Sequence, residues 1–239
     1  MKLDKIKNYY LTIDTETANS LEQPLTYDIG GAIHDKQGKI YETFSFVIFE
    51  IYAEMQDLML SAYYADKLPN YEADLESGHR LMVRFNTARK HIHFLIKKYN
   101  VKAIIAHNMR FDYRALATTQ RYLTNSKYRY FFPYGVSLWC TMTMAQQVIA
   151  TQKSYKSWAK ENDYMTNHKT PRPRITAEIL YRYLSGNNDF VEEHTGLEDV
   201  LIEIEIFVQA TRQKKKMKRS PYKNKKISVA EKLVRGWEI

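Results

Sequence analysis

Apolar residues follow two different periods along this chain. Short runs rich in β-branched and aromatic residues predict strands, at residues 9–13, 27–34, 39–49, 101–106 and 132–140. Longer segments with apolar residues at every third or fourth position predict helices, at residues 51–68, 78–99, 109–123, 141–151, 175–184 and 196–210. This mixture of elements predicts an α/β fold, in which helices flank a sheet.

Two acidic residues stand at the predicted end of the first strand. Asp14 and Glu16 are two positions apart, so on a strand their side chains lie on the same side, about 6–7 Å apart along the chain. Carboxylates held this close repel each other unless a cation lies between them, and hard oxygen ligands suit Mg²⁺ or Mn²⁺. The alternative is a solvated strand end, because Asp74 and Glu76 have the same spacing in a segment to which we assign no role.

A second candidate site precedes the last long predicted helix. Thr195 and Glu198 have the spacing of a capping box, which predicts a helix that begins at Gly196. His194 and Asp199 then occupy the two positions that pack against each other at a helix start. The sequence therefore predicts that an imidazole and a carboxylate lie close together in space.

These residues belong to an ordered set of motifs. The segments are Asp14-Thr15-Glu16-Thr17 followed by Asp28-Ile29-Gly30-Gly31, then Ala106-His107-Asn108-Met109-Arg110-Phe111-Asp112, then His194-Thr195-Gly196-Leu197-Glu198-Asp199. Over residues 8–210 the chain resembles the DEDD superfamily of 3′–5′ exonucleases, in the DEDDh branch that includes the proofreading subunit of bacterial DNA polymerase III and ribonuclease T. The resemblance implies a ribonuclease H-like α/β fold with a mixed five-stranded sheet.

The resemblance also implies a role for each matched residue. The implied ligands of two divalent cations, Mg²⁺ or Mn²⁺, are Asp14, Glu16, Asp112 and Asp199. The implied general base is His194, which would take a proton from the attacking water; a histidine suits this task near neutral pH. The candidate substrate-binding residues within the same motifs are Thr15, Thr17, Asn108 and Phe111.

His107 is a rival base, because it stands before Asp112 with the same spacing as His194 before Asp199. In the family the histidine of the His-Asn pair is structural, so we prefer His194. The implied activity is hydrolysis of phosphodiester bonds at single-stranded 3′ ends, with DNA favoured, to release nucleoside 5′-monophosphates. The alternatives are an exoribonuclease or oligoribonuclease of the same fold, and a nucleic-acid-binding protein without catalysis.

Composition narrows these expectations. The chain has 239 residues, 44% of them hydrophobic, and a formal net charge of +9. That charge favours a polyanionic partner, nucleic acid first and an anionic membrane surface second. No apolar run of about 18 residues predicts a transmembrane helix, and the charged first residues do not predict a secretory signal. The single cysteine, Cys140, is expected to be a buried strand residue and fits a reducing, cytoplasmic compartment.

Basic residues are concentrated in the last part of the chain, which includes Lys214, Lys215, Lys216, Lys218 and Arg219. We divide the chain into an exonuclease domain at residues 1–211 and a basic tail at residues 212–239. We favour a tail that holds nucleic acid over one that only aids solubility. Residues 152–175 are either a substrate-facing loop or a solvated connection. A replication or repair protein is a candidate further partner, and the sequence leaves the oligomeric state open.

Overall fold

The computed structural model describes residues 4, 6–60, 62, 65–124 and 130–222, and within them a six-stranded mixed sheet forms the centre of the molecule. The strands are β1 (Tyr9–Ala18), β2 (Leu25–Asp35), β3 (Ile40–Ile48), β4 (Leu81–Val83), β5 (Ala103–Ala106) and β6 (Ser137–Cys140). Their order across the sheet is β4-β3-β2-β1-β5-β6. The β1–β2 and β2–β3 pairs are antiparallel, and the other three pairs are parallel.

The expected five-stranded sheet is wrong by one strand. The additional strand is β4, which pairs in parallel with the end of β3. It falls inside the segment predicted as the helix at residues 78–99, because Leu81 and Phe85 have helical spacing. A strand of three residues offers too little alternation to be recognised, and Leu81 and Met82 are exposed on this edge.

Helices cover both faces of the sheet. They are α1 (Phe49–Tyr52), α2 (Gln56–Leu60), α3 (Leu68–Ser77), α4 (Phe85–Lys98), α5 (Met109–Thr124), α6 (Thr141–Val148), α7 (Lys153–Glu161), α8 (Ala177–Ser185) and α9 (Gly196–Arg212). The predicted helix at 51–68 is instead several short helices, and Pro69 lies in the first turn of α3 rather than after a helix end. A proline in the first turn of a helix costs no hydrogen bond. Within the described residues, no helix has the length and apolar character needed to span a bilayer.

The alternation of β1 separates two apolar cores. Leu11 and Ile13 point into the larger core, which includes residues of α4 and α5, whereas Tyr10 points into the second core with residues of α6, α8 and α9. Successive strand residues face opposite sides. Asp14 and Glu16 therefore share the face of Tyr10 and point towards α9, while Thr15 points towards α5.

Candidate active site

The pair Asp14 and Glu16 lies inside β1, which continues to Ala18 rather than ending at Glu16 as predicted. Asp14 pairs with Gly30 of β2 and Glu16 pairs with Asp28, and the register shifts just after Glu16. A bulge of this kind re-aims side chains next to it. Glu16 is only 9% exposed, so the alternative of a solvated strand end is wrong for this residue.

Two glycines allow α9 to begin directly on the sheet. A Cβ atom on Gly30 would lie 2.0 Å from the carbonyl carbon of Gly196, and one on Gly196 would lie 2.6 Å from the backbone nitrogen of Gly30. Neither contact is sterically possible, so a side chain at either position would push the helix away. This close approach brings the first turn of α9, and with it Asp199, to the carboxylates of β1.

The start of α9 confirms one prediction and corrects another. The helix begins at Gly196 with Thr195 as the N-cap residue. The reciprocal bonds of a capping box are absent, because the Thr195 hydroxyl donates to the Glu198 carboxylate (2.6 Å) and the Gly196 amide donates to Asp28 (2.9 Å).

His194 and Asp199 meet as predicted. Ring or carboxylate atoms of Glu16, His194 and Asp199 all lie within 4.8 Å of one another. His194 has a left-handed backbone with φ of 56°, a conformation that non-glycine residues keep only when the surroundings hold it. Its Nδ1 atom is 4.0 Å from a carboxylate oxygen of Glu192. Burial lowers the pKa of His194, which favours the neutral imidazole.

Asp112 enters the site from the first turn of α5. It is 2% exposed, and its Oδ1 atom accepts a hydrogen bond from the Thr15 hydroxyl at 3.0 Å. This bond ties α5 to the face of β1 opposite Asp14 and fixes the carboxylate next to the strand. The role of Thr15 visible in the structure is thus to position Asp112, and its predicted substrate contact stays a prediction.

Sequence reasoning missed a fifth carboxylate, Glu203, which lies one helical turn after Asp199. It is 2% exposed, and its Oε1 atom accepts a hydrogen bond from the backbone amide of His107 at 2.9 Å. Its spacing of four from Asp199 places it on the same helix face, but the sequence alone does not show that this face is buried against β1. We call Asp14, Glu16, Asp112, Asp199 and Glu203 the acidic cluster.

The acidic cluster brings five carboxyl groups together without a neutralising cation among the described residues. Burial first, and the neighbouring carboxylates second, hold the pKa values of Asp14 and Glu16 well above the usual range. Burial raises the pKa of Asp112 to about 7 and that of Asp199 to about 8. Within the described residues, no lysine or arginine forms an ion pair with any of the five.

Two carboxylate oxygens of the acidic cluster are suited to bind a divalent cation. Oδ1 of Asp199 and Oε2 of Glu203 are buried and have no hydrogen-bond partner among the described atoms. Buried polar atoms are normally bonded, and the donors here are all carboxylate oxygens, the ligands preferred by Mg²⁺ and Mn²⁺. The arrangement can hold a hard divalent cation.

A second group of acids, of which Asp28 is fully buried and Asp74 and Glu198 are partly exposed, lies near the start of α9 and contains its own cation. The Arg80 side chain is 1% exposed and contacts Asp28 (3.2 Å), Asp74 (2.8 Å) and Glu198 (2.7 Å). Tyr71 also donates to Asp28, at 2.7 Å. We call these four charged residues the Arg80 cluster. It gives Asp74, to which the sequence assigned no role, a structural one.

The rival base, His107, is committed to the core. It is 7% exposed, its Nδ1 atom is 2.9 Å from the Thr141 hydroxyl, and its Nε2 atom is 2.8 Å from the carbonyl oxygen of Ile175. Burial lowers its pKa to about 4. With both ring nitrogens bonded, His107 has no free atom to accept a proton from water.

The first part of the basic tail folds back onto the domain. Residues 213–222, here the C-terminal strap, place the Arg219 carbonyl oxygen 2.8 Å from the Cys140 amide at the end of β6. Arg110, in the first turn of α5, donates to the Pro221 carbonyl oxygen (2.5 Å), and the Arg219 guanidinium lies 4.6 Å from the Trp139 ring centre. The strap therefore runs beside the end of β6 and the first turn of α5, the turn that contains Asp112. The predicted basic residues are exposed on it, namely Lys214, Lys215, Lys216, Lys218 and Arg219.

The remaining predicted positions have different surroundings. Asn108 is exposed, Thr17 and Phe111 are partly exposed, and their roles in substrate binding stay predictions. Cys140 is a buried strand residue as expected. Residues 153–161 form α7, and the Trp158 ring packs against the rings of Tyr164 and Tyr183. The division into a domain and a tail also stays a prediction, with residues 223–239 outside the described part.

Comparison with known proteins gives structural similarities only. No protein-family model matches the chain, and no curated protein matches it. Exonuclease I from Methylocaldum szegediense superposes with a TM-score of 0.52 at 15% identity, covering 87% of this chain and 41% of that one. E. coli exonuclease I in complex with an oligonucleotide gives the same values. A full-length 3′-exonuclease gives a TM-score of 0.51 at 15% identity, covering 89% of this chain and 85% of that one.

These similarities show that the chain shares its fold with exonucleases. The chain spans about two-fifths of the length of the exonuclease I chains and most of the length of the 3′-exonuclease.

Proposed function

We propose that this chain is a metal-dependent 3′–5′ exonuclease of the DEDDh type, which removes nucleoside 5′-monophosphates from single-stranded 3′ ends, DNA in preference to RNA. The observation that carries the proposal is the acidic cluster, in which four of the five side chains are buried and none has a lysine or arginine partner among the described residues, beside a half-buried histidine. A protein that only binds nucleic acid has no use for converging carboxylates, which repel the phosphates it must hold.

Asp14, Glu16, Asp112 and Asp199 would hold the divalent cations, Mg²⁺ or Mn²⁺. When bound, such ions stabilise charge on the attacking and leaving oxygens of a phosphoryl displacement. The carboxylates are positioned for this by β1, by the Thr15 bond to Asp112 and by the glycine contact under α9.

His194 is the proposed general base. Its imidazole is favoured in the neutral form by burial and lies beside Glu16 and Asp199. It takes one proton from a water molecule as the water oxygen bonds to phosphorus. The bond from phosphorus to the 3′ oxygen of the preceding nucleotide breaks, and this oxygen takes up one proton from solvent while His194 returns its proton to solvent. The products are a new 3′ hydroxyl and a 5′-monophosphate.

The choice of DNA over RNA rests on similarity of fold. E. coli exonuclease I, which has this fold, is known in complex with single-stranded DNA. The net charge of +9 suits any nucleic acid, so an exoribonuclease or oligoribonuclease is the second candidate. The cytoplasmic location and a replication or repair partner remain proposals of the sequence.

A labelled oligonucleotide tests the proposal. Single-stranded DNA and RNA of one sequence, labelled at the 5′ end, are incubated with the protein and Mg²⁺ or with excess chelator. We expect a ladder that shortens from the 3′ end, faster for DNA and absent with chelator. Asp14→Ala should lower the rate by about 10³-fold or more, because several kcal/mol of charge stabilisation are removed.

Glu161→Ala is the matched control, since Glu161 is exposed and distant in sequence from every proposed ligand and from His194. It should cleave at the normal rate. Faster cleavage of RNA would make the exoribonuclease the better description. Binding without cleavage by the folded protein would leave a nucleic-acid-binding protein, and unchanged activity of Asp14→Ala would overturn the metal site.

A further inference from the structure

Glu203 is a buried acid that none of the motifs contains. It lies four residues after Asp199 on α9, so the two side chains share one face of the helix. That face packs on the side of β1 to which Asp14 and Glu16 point. Glu203 is therefore directed towards the proposed metal centre from the body of α9, whereas Asp199 approaches it from the first turns of that helix.

The two oxygens of Glu203 have different surroundings. Oε1 accepts a hydrogen bond from the backbone amide of His107 at 2.9 Å, and His107 directly follows β5. Because β5 runs parallel to β1, the carboxyl ends of the two strands meet at the same edge of the sheet, where Asp112 also lies. Oε2 is buried and has no hydrogen-bond partner among the described residues.

A purely structural role does not account for this arrangement. Holding the His107 amide needs one neutral oxygen, which a glutamine would supply without bringing a charge among four other carboxylates. Asp28 also has one buried oxygen without a hydrogen-bond partner, Oδ1, but its Oδ2 atom lies 3.2 Å from the Arg80 guanidinium. Within the described part of the chain, Glu203 has no arginine or lysine in that position.

We propose that Glu203 is a fifth carboxylate of the metal centre, anchored through Oε1 to the His107 amide and offering Oε2 to a divalent cation of the Mg²⁺ class. This inference rests on the proposed function. It goes beyond the proposed function because Glu203 is a metal ligand that the DEDDh motifs do not contain.

Direct metal binding tests the inference without any measurement of activity. The metal-free protein is titrated with Mn²⁺, and free Mn²⁺ is followed by electron paramagnetic resonance. Glu203→Gln keeps an oxygen for the His107 amide and removes the charge. We expect it to weaken Mn²⁺ binding by about 10–100-fold, the usual effect of disturbing a metal site. Glu203→Asp keeps the charge but withdraws it by one methylene, and we expect weaker binding here too.

Glu205→Gln is the matched control. It lies on the same helix, loses the same charge, and can still accept the hydrogen bond that Gln209 donates to Glu205. It should bind Mn²⁺ like the unmodified chain. If folded Glu203→Gln and Glu203→Asp both bind Mn²⁺ within about twofold of this control, the inference is wrong. Should Glu203→Gln not fold, the Glu203→Asp result decides alone.

Asp14→Ala separates failure of this inference from failure of the proposed function. If Asp14→Ala loses Mn²⁺ binding while the Glu203 variants keep it, the metal centre stands without Glu203. If Asp14→Ala and the Glu203 variants all bind Mn²⁺ normally, both the metal centre and the inference fall.

Discussion

Glu198 and Asp199 are neighbours near the start of α9, yet their pKa values are shifted in opposite directions. Burial raises the pKa of Asp199 to about 8, with further repulsion from Glu192 and other acids. Burial acts on Glu198 in the same sense, but hydrogen bonds from Thr195, His79 and Arg80 outweigh it and lower the pKa to about 2. One residue faces the acidic cluster and the other faces the Arg80 cluster.

The difference teaches how to distinguish a structural group of buried acids from a functional one. In the Arg80 cluster the fold provides the cation, and the contacts of Arg80 with Asp28, Asp74 and Glu198 hold β2, α3 and α9 together. In the acidic cluster the described residues provide no such cation, so the charge must be relieved by protons or by an ion from solution. Carboxylates that are kept together despite their mutual repulsion indicate a site for a ligand.

The largest expected effect concerns the histidine on the acidic side of the comparison. His194→Ala should lower kcat by about 10²–10⁴-fold, the usual contribution of a positioned base, with little change in stability. His107→Ala should lower kcat less and stability more, because two buried hydrogen bonds of the ring disappear. Steady-state kinetics and thermal unfolding of both variants provide the check. If His107→Ala were the slower of two folded variants, the base would be misassigned.

Replacing Arg80 should leave the Arg80 cluster without a cation, as the acidic cluster is among the described residues. Arg80→Met leaves Asp28 buried and unpaired, which should lower the free energy of unfolding by about 3–5 kcal/mol, as measured in urea. Arg84→Met is the control, since its side chain is 65% exposed and pairs with Glu50 only at 3.8 Å. It should cost less than about 1 kcal/mol. Equal costs for the two variants would show that the Arg80 cluster is not what holds α9 in place.

The free energy of unfolding of the metal-free protein should depend on pH in a way that reveals the acidic cluster. The pKa values of Asp112 and Asp199 are raised in the folded state to about 7 and about 8, above the ordinary value near 4. The folded state then binds more protons than the unfolded state between about pH 4 and pH 8. Stability contributed by these protons is complete below about pH 4 and is lost as the pH rises to about 8.

Thermal unfolding in the presence of chelator measures this decrease in stability. In a chain of this size, each kcal/mol of lost stability lowers Tm by about 2–4 °C. Asp199→Asn should flatten the curve, and saturating Mg²⁺ should restore stability at pH 8. A metal-free protein that became more stable from pH 5 to pH 8 would contradict the shifts.

The smallest expected effect concerns the exposed charges of the C-terminal strap. Replacing Lys214, Lys215 and Lys216 by Gln keeps the backbone hydrogen bonds of the strap but removes charge. For each phosphate that the strap no longer neutralises, the slope of log K against log salt should fall by about 0.7 for a single strand, with kcat at saturating substrate nearly unchanged. Fluorescence anisotropy over a salt series measures the slope. Gln at Lys36, Lys90 and Lys97 is the control, and a slope equal to that of the control would mean a strap that does not touch nucleic acid.

Sequence patterns predicted the elements that obey a simple period. The helix start at Gly196 and the meeting of His194 with Asp199 followed from local spacing. The short edge strand β4 did not, because three residues show no period. The helix α7 did not either, because it lies in the segment 152–175 that we predicted as a loop or a connection. Local rules fail where pairing with a distant strand or packing against a distant helix decides the conformation.

The candidate site divides in the same way. Asp14, Glu16, Asp112 and Asp199 could be selected because they lie in ordered motifs. Glu203 could not, since its burial depends on how α9 crosses β1. The role of Arg80 could not be predicted from the sequence either, because its three acidic partners come from β2, α3 and α9. Only the fold brings such residues together.

Anomalous diffraction from crystals soaked in Mn²⁺ tests the central claim most directly, because it locates the ion in both clusters at once. We expect anomalous peaks in contact with carboxylate oxygens of Asp14 and its neighbours in the acidic cluster, and none beside Asp28, Asp74 or Glu198, where the Arg80 guanidinium already provides the charge. Absence of a peak at Asp14 in crystals saturated with Mn²⁺, or a peak at the Arg80 cluster instead, would contradict the account.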